Sequence, residues 1–158
     1  MENRATAYLQ EKGFCLEVRF TGEDTATVAK AAAVLGVEEA RIAKSLAFRL
    51  KDGSCMVLVV EGTARIDNRK FKDTFHCKAS MLSHEDTFAV TGFPVGGVCP
   101  FGLPEGVRVC LDASLKKFDI VYPAAGTPDS AVTVDVARFA EYTGGEWVDV
   151  CKLPEAAQ

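Results

Sequence analysis

One lysine in this sequence stands where its charge can hold an anion. Lys44 follows Ile42 and Ala43 and precedes the alternating segment 45–50, at the junction of a predicted helical turn and a predicted strand. A lysine at a strand end can reach into a cleft and bind a phosphate as a point charge. A solvated surface lysine fits the same position and is the commoner case, so position alone leaves both interpretations open.

A loop at 92–104 is the second candidate, with four glycines and three prolines. Its glycines allow backbone angles closed to other residues and let a ligand approach main-chain amides. Its prolines restrict movement. Such a loop suits the binding of a carbonyl oxygen that gains negative charge. A structural loop that packs over a sheet edge is an equally good interpretation of the pattern.

Two further segments carry polar groups. Asp129 and Ser130, in the turn 124–130, could bind a substrate amine or orient a water molecule, although both are also common turn residues. The basic run 65–72 could receive an RNA backbone, although acidic residues interrupt it and most mixed runs are simply solvated.

Other chemistries are disfavoured. His76 and His84 lack the spacing of a zinc-binding helix and have no cysteine pair beside them, so no metal site is expected. The chain shows no Gly-x-Ser-x-Gly elbow, Walker loop or dinucleotide-binding Gly-x-Gly-x-x-Gly. Cys99 lies in the glycine loop without an evident histidine partner, which favours a packing residue over a nucleophile. No cofactor is expected.

The composition is that of one globular domain spanning residues 1–158, with 48% hydrophobic and 25% charged residues. The net charge of −4 excludes nucleic-acid binding by overall charge, so any RNA contact needs a local basic patch and no DNA partner is expected. The six cysteines include no Cys-x-x-Cys pair, and neither a secretory leader nor a membrane span is evident. We therefore expect a reduced, cytoplasmic protein without a membrane partner.

Local patterns predict a mixed α+β fold around these candidates. Helices are expected at 3–12, 25–35, 67–75, from Ser83 to about Gly92, and at 136–143. Strands are expected at 14–20, 45–50, 55–60, 107–112, 119–123, 131–136 and 146–150, with a helical turn at 38–43 and a hairpin turn at Asp52-Gly53. These patterns do not determine the strand order.

Taken together, these segments resemble the YbaK/ProX/EbsC family of aminoacyl-tRNA deacylases, which also occurs as the editing domain of bacterial prolyl-tRNA synthetases. The matching stretches are Ala33-Val34-Leu35-Gly36, Arg41 to Leu46, Val59-Val60-Glu61-Gly62, Thr91 to Gly102, Asp112 and Ala125-Gly126. The resemblance covers roughly residues 5 to 150. The glycine loop combined with the upstream lysine is far more specific than either feature alone.

The resemblance implies an α+β fold with a mixed, mainly antiparallel, barrel-like sheet surrounded by helices. It also implies hydrolysis of the ester between a small wrong amino acid, such as Cys, Ala or Ser, and the 3′ end of a tRNA, often the tRNA for proline. The reaction uses an activated water and no metal. The implied partners are the aminoacyl-tRNA 3′ end and, as a second candidate, an aminoacyl-tRNA synthetase.

Residue roles follow from the same resemblance. Lys44 is expected to anchor the 3′-terminal phosphate, and the amides of Gly96 and Gly97 to bind the ester carbonyl. Ser45, Asp129 and Ser130 are expected to contact the aminoacyl group or the attacking water. The remaining expected substrate contacts are Phe20, Val98, Cys99, Pro100, Gly102 and Gly126.

This chain departs from its relatives at three positions. It has no histidine near Ser130, it has Thr133 where relatives that remove cysteine carry an acidic residue, and it has Phe20 where some members place a tyrosine. The departures leave the preferred amino acid open. They also leave open an alternative function, that of a non-catalytic module of the same fold that binds tRNA or a synthetase.

Overall fold

The computed structural model describes residues 3–153, which form five α-helices and ten short strands. The helices are α1 (Arg4–Glu11), α2 (Val28–Leu35), α3 (Asn68–Phe75), α4 (His84–Thr91) and α5 (Phe139–Thr143). The strands are β1 (Val18–Phe20), β2 (Ala43–Arg49), β3 (Cys55–Glu61), β4 (Arg65–Ile66), β5 (Arg108–Asp112), β6 (Ile120–Val121), β7 (Ser130–Val132), β8 (Val134–Asp135), β9 (Glu146–Val148) and β10 (Cys151–Lys152). Short 3₁₀ turns lie at Glu39–Arg41, Ala113–Lys117 and Val136–Arg138.

A four-stranded mixed sheet in the order β2-β3-β5-β9 forms the centre. β2 and β3 make an antiparallel hairpin, whereas β3 pairs with β5, and β5 with β9, in parallel. Three two-stranded antiparallel ladders surround it, β1-β7, β4-β10 and β6-β8. Every residue of β3 is buried, which explains why its sequence shows no polar face.

The two faces of this sheet bury two separate cores. Because side chains alternate along a strand, Ala43, Val57 and Val59 pack into one cluster, while Phe48 and Leu58 pack into the other. The first cluster lies under α1, α5 and the glycine loop, and the second lies under α3. β2 therefore separates two environments, and consecutive residues of this strand meet different neighbours.

Local capping explains the helix boundaries. Asn3 accepts hydrogen bonds from the amides of Ala5 and Thr6 at the start of α1, and Ser83 accepts one from Asp86 at the start of α4. α2 and α4 end at glycines in the left-handed conformation, Gly36 and Gly92.

The predicted fold class is confirmed, with the parallel pairings of β3, β5 and β9 as the part that the sequence did not predict. The predicted strand 14–20 is wrong over its first half: only Val18–Phe20 pairs, opposite the three residues of β7. The predicted strand 131–136 is two strands, β7 and β8, which pair with different partners. The two-residue strands β4 and β10 were not predicted. Across residues 3–153, no helix has the length and apolar character needed to cross a membrane.

Candidate active site

A cavity of about 340 Å³ lies beside β2. Its walls are mostly small or apolar side chains from α2, β2, the glycine loop and the segment 122–131, and Thr25, Ala26 and Thr27 close it from the α2 side. Five of the predicted site residues line it: Lys44, Ser45, Gly96, Val98 and Ser130. The structure thus brings together predicted residues from three distant parts of the chain.

The edge of β2 is open where it borders this cavity. The Ala43 amide donates to the Tyr122 carbonyl, and the Ala47 carbonyl accepts from the Leu82 amide, so both ends of this edge are occupied. Backbone groups of alternate residues in an antiparallel pair point away from the partner strand, which aims the N–H and C=O of Ser45 outward between these two bonds. No backbone group of residues 3–153 outside the sheet meets them.

The side chain of Ser45 is also unsatisfied. Its Oγ is buried and has no hydrogen-bond partner among the described residues. A buried hydroxyl without a partner costs about 1–3 kcal/mol, so such groups are uncommon in folded proteins. Ser45 therefore presents three hydrogen-bonding groups at the cavity that a ligand can satisfy.

Lys44 contributes to the cavity wall, but its ammonium lies on the other face of β2. Lys44 alternates with Ser45, and its Nζ donates to the Ala64 carbonyl at 2.9 Å. Burial lowers the pKa of Lys44 because the charged form loses water; the carboxylate of Glu61 acts in the opposite direction. No carboxylate of residues 3–153 forms an ion pair with this ammonium. An incoming phosphate would supply the missing negative charge.

Glu61 supports the position of Lys44. This carboxylate is fully buried and accepts hydrogen bonds from the amide and hydroxyl of Thr63, and the Ala64 amide donates to the Glu61 carbonyl. The turn places the Ala64 carbonyl on the Lys44 ammonium. The Lys117 ammonium lies 2.6 Å from Glu61 Oε2 and forms an ion pair with it. The charge of Glu61 is therefore compensated by Lys117, and Lys44 remains outside this ion pair.

The glycine loop packs tightly on the segment 124–130. A Cβ on Gly97 would lie 2.8 Å from the Thr127 amide nitrogen and 2.9 Å from the Gly126 carbonyl carbon, so only glycine fits there. The Gly97 amide itself donates to the Pro94 carbonyl at 2.9 Å. It is therefore committed to the loop's own turn, contrary to the expectation that it binds the ester carbonyl. The Gly96 amide has no partner among residues 3–153, and Gly96 lines the cavity.

The predicted turn residues mainly hold the turn. The Ser130 hydroxyl donates to the Thr127 carbonyl and accepts from the Ala125 and Thr127 amides, so it has no free proton for a substrate. The Asp129 carboxylate accepts from the Thr127 hydroxyl, and the Asp129 carbonyl accepts from Thr21. Asp129 does not line the cavity. Ser130 lines the cavity with its hydroxyl already bonded to the turn, so the expected contact of these two residues with a substrate stays a prediction.

Four other predicted residues do not line the cavity: Cys99, Pro100, Gly102 and Gly126. Cys99 is fully buried, its thiol donates to the Phe101 carbonyl, and burial raises its pKa to about 12, which leaves no thiolate for nucleophilic attack. Pro100 is buried beside it. Gly102 packs against the Arg4 carbonyl of α1, and Gly126 packs against Phe93.

Phe20 lies in β1, opposite Ser130, and does not line the cavity.

The sequence alone missed several cavity residues. Ala26, Ala31, Ala47 and Tyr122 line the cavity but carry no chemical signal in the sequence. His84 also lines it, at the first residue of α4. The capping pattern at Ser83 located that helix start, so the position of His84 was predictable, although its proximity to Ser45 was not.

Comparison of the sequence with known proteins identifies related editing proteins. The profile of the aminoacyl-tRNA editing domain matches residues 22–142. The chain is 45% identical to YwhH of Bacillus subtilis, over 81% of this chain and 82% of that protein. It is 27% identical to EbsC of Enterococcus faecalis, over 78% of this chain and 81% of that protein. EbsC is described as a proposed Cys-tRNA(Pro)/Cys-tRNA(Cys) deacylase.

A solved structure shares the fold. A protein described as a proposed trans-editing enzyme for prolyl tRNA synthetase superposes with a TM-score of 0.86 at 29% identity, covering 94% of this chain and 95% of that chain. The profile match spans most of the chain and contains β2, the glycine loop and the turn 124–130. The chain therefore belongs to the YbaK/EbsC family of aminoacyl-tRNA editing domains.

Proposed function

We propose that the protein is a trans-editing hydrolase that cleaves the ester of a mischarged aminoacyl-tRNA carrying a small, uncharged amino acid. The observation that carries this proposal is the small apolar cavity at the open edge of β2, where Ser45 and Gly96 present unpartnered polar groups. Family membership supplies the substrate class.

The cavity lining favours an uncharged side chain. Ala26, Ala31, Ala43 and Ala47 give walls without charge, and no carboxylate of residues 3–153 lines the cavity to receive a basic amino acid. A synthetase separates amino acids that differ by one methylene by only about 1–3 kcal/mol, so small impostors are attached and must be removed later. A second pocket that admits alanine, serine or cysteine and excludes a larger, correct amino acid performs this selection by size.

The polar groups of the cavity suit ester hydrolysis. As water attacks the ester carbon, negative charge develops on the carbonyl oxygen, and preorganised N–H groups stabilise it. The amides of Gly96 and Ser45 are the candidates for this role, with Gly97 holding the loop in place. The Ser45 hydroxyl is positioned to bind the aminoacyl group or the water. We propose a reaction that needs no metal ion, so turnover should persist in excess chelator.

Lys44 is proposed to bind the phosphate of the terminal nucleotide. Its ammonium has one hydrogen bond to the protein and no ion pair among residues 3–153. Binding of the phosphate would place the ester across the edge of β2, at Ser45. We also propose that the protein acts in the cytoplasm, where it hydrolyses aminoacyl-tRNA alone or together with prolyl-tRNA synthetase.

The test is release of amino acid from alanyl-, cysteinyl- and seryl-tRNA for proline, with prolyl-tRNA as the correctly charged control. Wild-type protein should release one of the small amino acids catalytically and leave prolyl-tRNA intact. Lys44→Ala should lower kcat/KM by about 100-fold, equivalent to about 2.7 kcal/mol of lost transition-state binding. Lys12→Ala, which removes an exposed lysine at the end of α1, serves as the matched control.

Two outcomes would overturn parts of this proposal. Retention of full activity by Lys44→Ala would refute its anchoring role. Absence of turnover on every mischarged tRNA, with tRNA still bound, would favour the non-catalytic binding module.

A further inference from the structure

Two like charges face each other on the outer surface of the β4-β10 ladder. Arg65 and Lys152 are direct partners in this antiparallel pair, and both are exposed. Directly opposite residues bring their Cβ atoms to about 5 Å, where like charges are destabilising. Neither side chain forms an ion pair within residues 3–153. The ladder therefore keeps two like charges side by side, with no ion pair to either of them among these residues.

Lys44 completes a group of three cations, here named the cationic triplet: Lys44, Arg65 and Lys152. The Lys44 ammonium is bonded to the carbonyl of Ala64, the residue directly before Arg65. Its pKa is lowered first by burial and also by the charge of Arg65, so the two cations are close enough to affect each other. The triplet runs from the cavity wall to the outer face of the β4-β10 ladder.

The neighbouring carboxylates are occupied elsewhere. Glu61 pairs with Lys117, and Asp149 pairs with Lys70. Asp67 accepts hydrogen bonds from the amides of Lys70 and Arg69 at the start of α3, which lower its pKa, and the nearby Lys152 lowers that pKa further. Asp67 therefore offsets only part of the positive charge of the triplet. The triplet thus retains a local positive charge on a chain whose net charge is −4.

We propose that the cationic triplet binds the phosphodiester backbone of the tRNA just before its esterified terminal nucleotide. This inference rests on the proposed function. With the ester in the cavity on one side of the β2 edge and the terminal phosphate on Lys44, the preceding nucleotides lie over Arg65 and Lys152. The negative charge of a bound phosphate offsets the repulsion between these two residues, which accounts for their pairing in the ladder. The contact is independent of base sequence, because it is made with backbone oxygens.

The test compares two double variants with equal changes in net charge. Arg65→Gln/Lys152→Gln removes the outer part of the triplet and leaves Lys44 in place. Lys12→Gln/Lys51→Gln removes two exposed lysines, one at the end of α1 and one in the β2-β3 hairpin turn. Binding of uncharged tRNA is measured over a series of salt concentrations. Turnover is measured on mischarged tRNA and on a 3′-aminoacyl ester of adenosine 5′-phosphate, here called the adenosine ester, which keeps the terminal phosphate for Lys44 and has no phosphate upstream of it.

We expect Arg65→Gln/Lys152→Gln to weaken tRNA binding about tenfold and to reduce the salt slope of log K by about 1.4, the value for two lost single-strand phosphate contacts. Turnover of the adenosine ester should be unchanged. The melting temperature should not fall, because the variant removes a like-charge pair, so unfolding cannot explain the lost affinity.

Unchanged tRNA affinity, or an equal loss in Lys12→Gln/Lys51→Gln, would overturn the inference. Since the adenosine ester reports hydrolysis without the upstream backbone, its turnover tests the proposed function separately. Wild-type turnover of that ester with no loss of tRNA affinity in the triplet variant would leave the hydrolase standing and refute the docking surface.

Discussion

Lys117→Met should leave a charged carboxylate buried without its cationic partner. Glu61 is fully buried, and the Lys117 ammonium lies 2.6 Å from its Oε2. Removal of one member of a buried ion pair costs about 3–5 kcal/mol. Because the Lys117 side chain is 41% exposed and Thr63 still donates two hydrogen bonds, we expect about 2–3 kcal/mol of lost unfolding free energy, below the range for a fully buried pair.

The pH dependence of this variant should be opposite in sign to the wild-type contribution. Burial pushes the pKa of Glu61 up, but hydrogen bonds from Lys117 and Thr63 outweigh it and hold the pKa below the ordinary value of 4.5. In wild-type protein, Glu61 therefore stabilises the fold above its unfolded pKa, and this contribution is lost as the pH falls through its folded pKa. Without Lys117, burial should raise the pKa of Glu61, so the penalty should shrink as the pH falls and the carboxylate takes up a proton.

Urea unfolding of a double-mutant cycle at several pH values provides the measurement. Lys117→Arg should lose less than about 1 kcal/mol, because it keeps the charge. Glu61→Gln/Lys117→Met should recover about 1–2 kcal/mol relative to Lys117→Met, because it no longer buries a charge without a partner. Glu61→Gln alone completes the cycle and gives the coupling energy of the pair. A loss below about 0.5 kcal/mol in Lys117→Met, with no recovery at low pH, would refute the electrostatic account of this site.

Three further substitutions probe the cavity. Gly97→Ala forces the glycine loop away from the Gly126 and Thr127 backbone; thermal melting should show a loss of about 1–3 kcal/mol, and unchanged stability would contradict the packing. Ser45→Ala removes a buried hydroxyl that has no partner, so it should raise stability by about 1 kcal/mol while lowering kcat, and equal kcat would exclude a role for the hydroxyl in turnover. Cys99→Ala should keep turnover within about twofold, and thiol labelling of the folded protein should modify the exposed Cys15 but spare Cys99, since burial raises the pKa of Cys99 to about 12; loss of turnover would restore it as a nucleophile.

Helix positions were predictable because their determinants are local. Ser83 three residues before Asp86, and Gly92 at the end, specify α4 within a short window. The β2-β3 hairpin was predictable from Asp52-Gly53 for the same reason. The parallel pairing of β3 with β5 was not, because about fifty residues separate these strands and no local pattern records their contact.

The sequence predicted part of the cavity wall, but not how each residue is bonded. Alternation along β2 predicts that Lys44 shares a face with Leu46, and the structure agrees. What the sequence could not show is which glycine amide remains free, because the bond from Gly97 to Pro94 depends on the conformation of the loop. The role of Ser130 was missed for a related reason: turn residues offer the same polar atoms whether they bind a substrate or their own backbone.

The open edge of β2 has a consequence for the behaviour of the protein in concentrated solution. Exposed strand edges recruit other chains through their unpaired backbone groups, and natural proteins shorten or cover them. Here the Tyr122 carbonyl and the Leu82 amide occupy the edge on both sides of Ser45, so the open stretch is one residue long and lies at the cavity. A foreign strand needs several consecutive residues to pair. The open backbone at the cavity is thus too short to start aggregation by strand pairing.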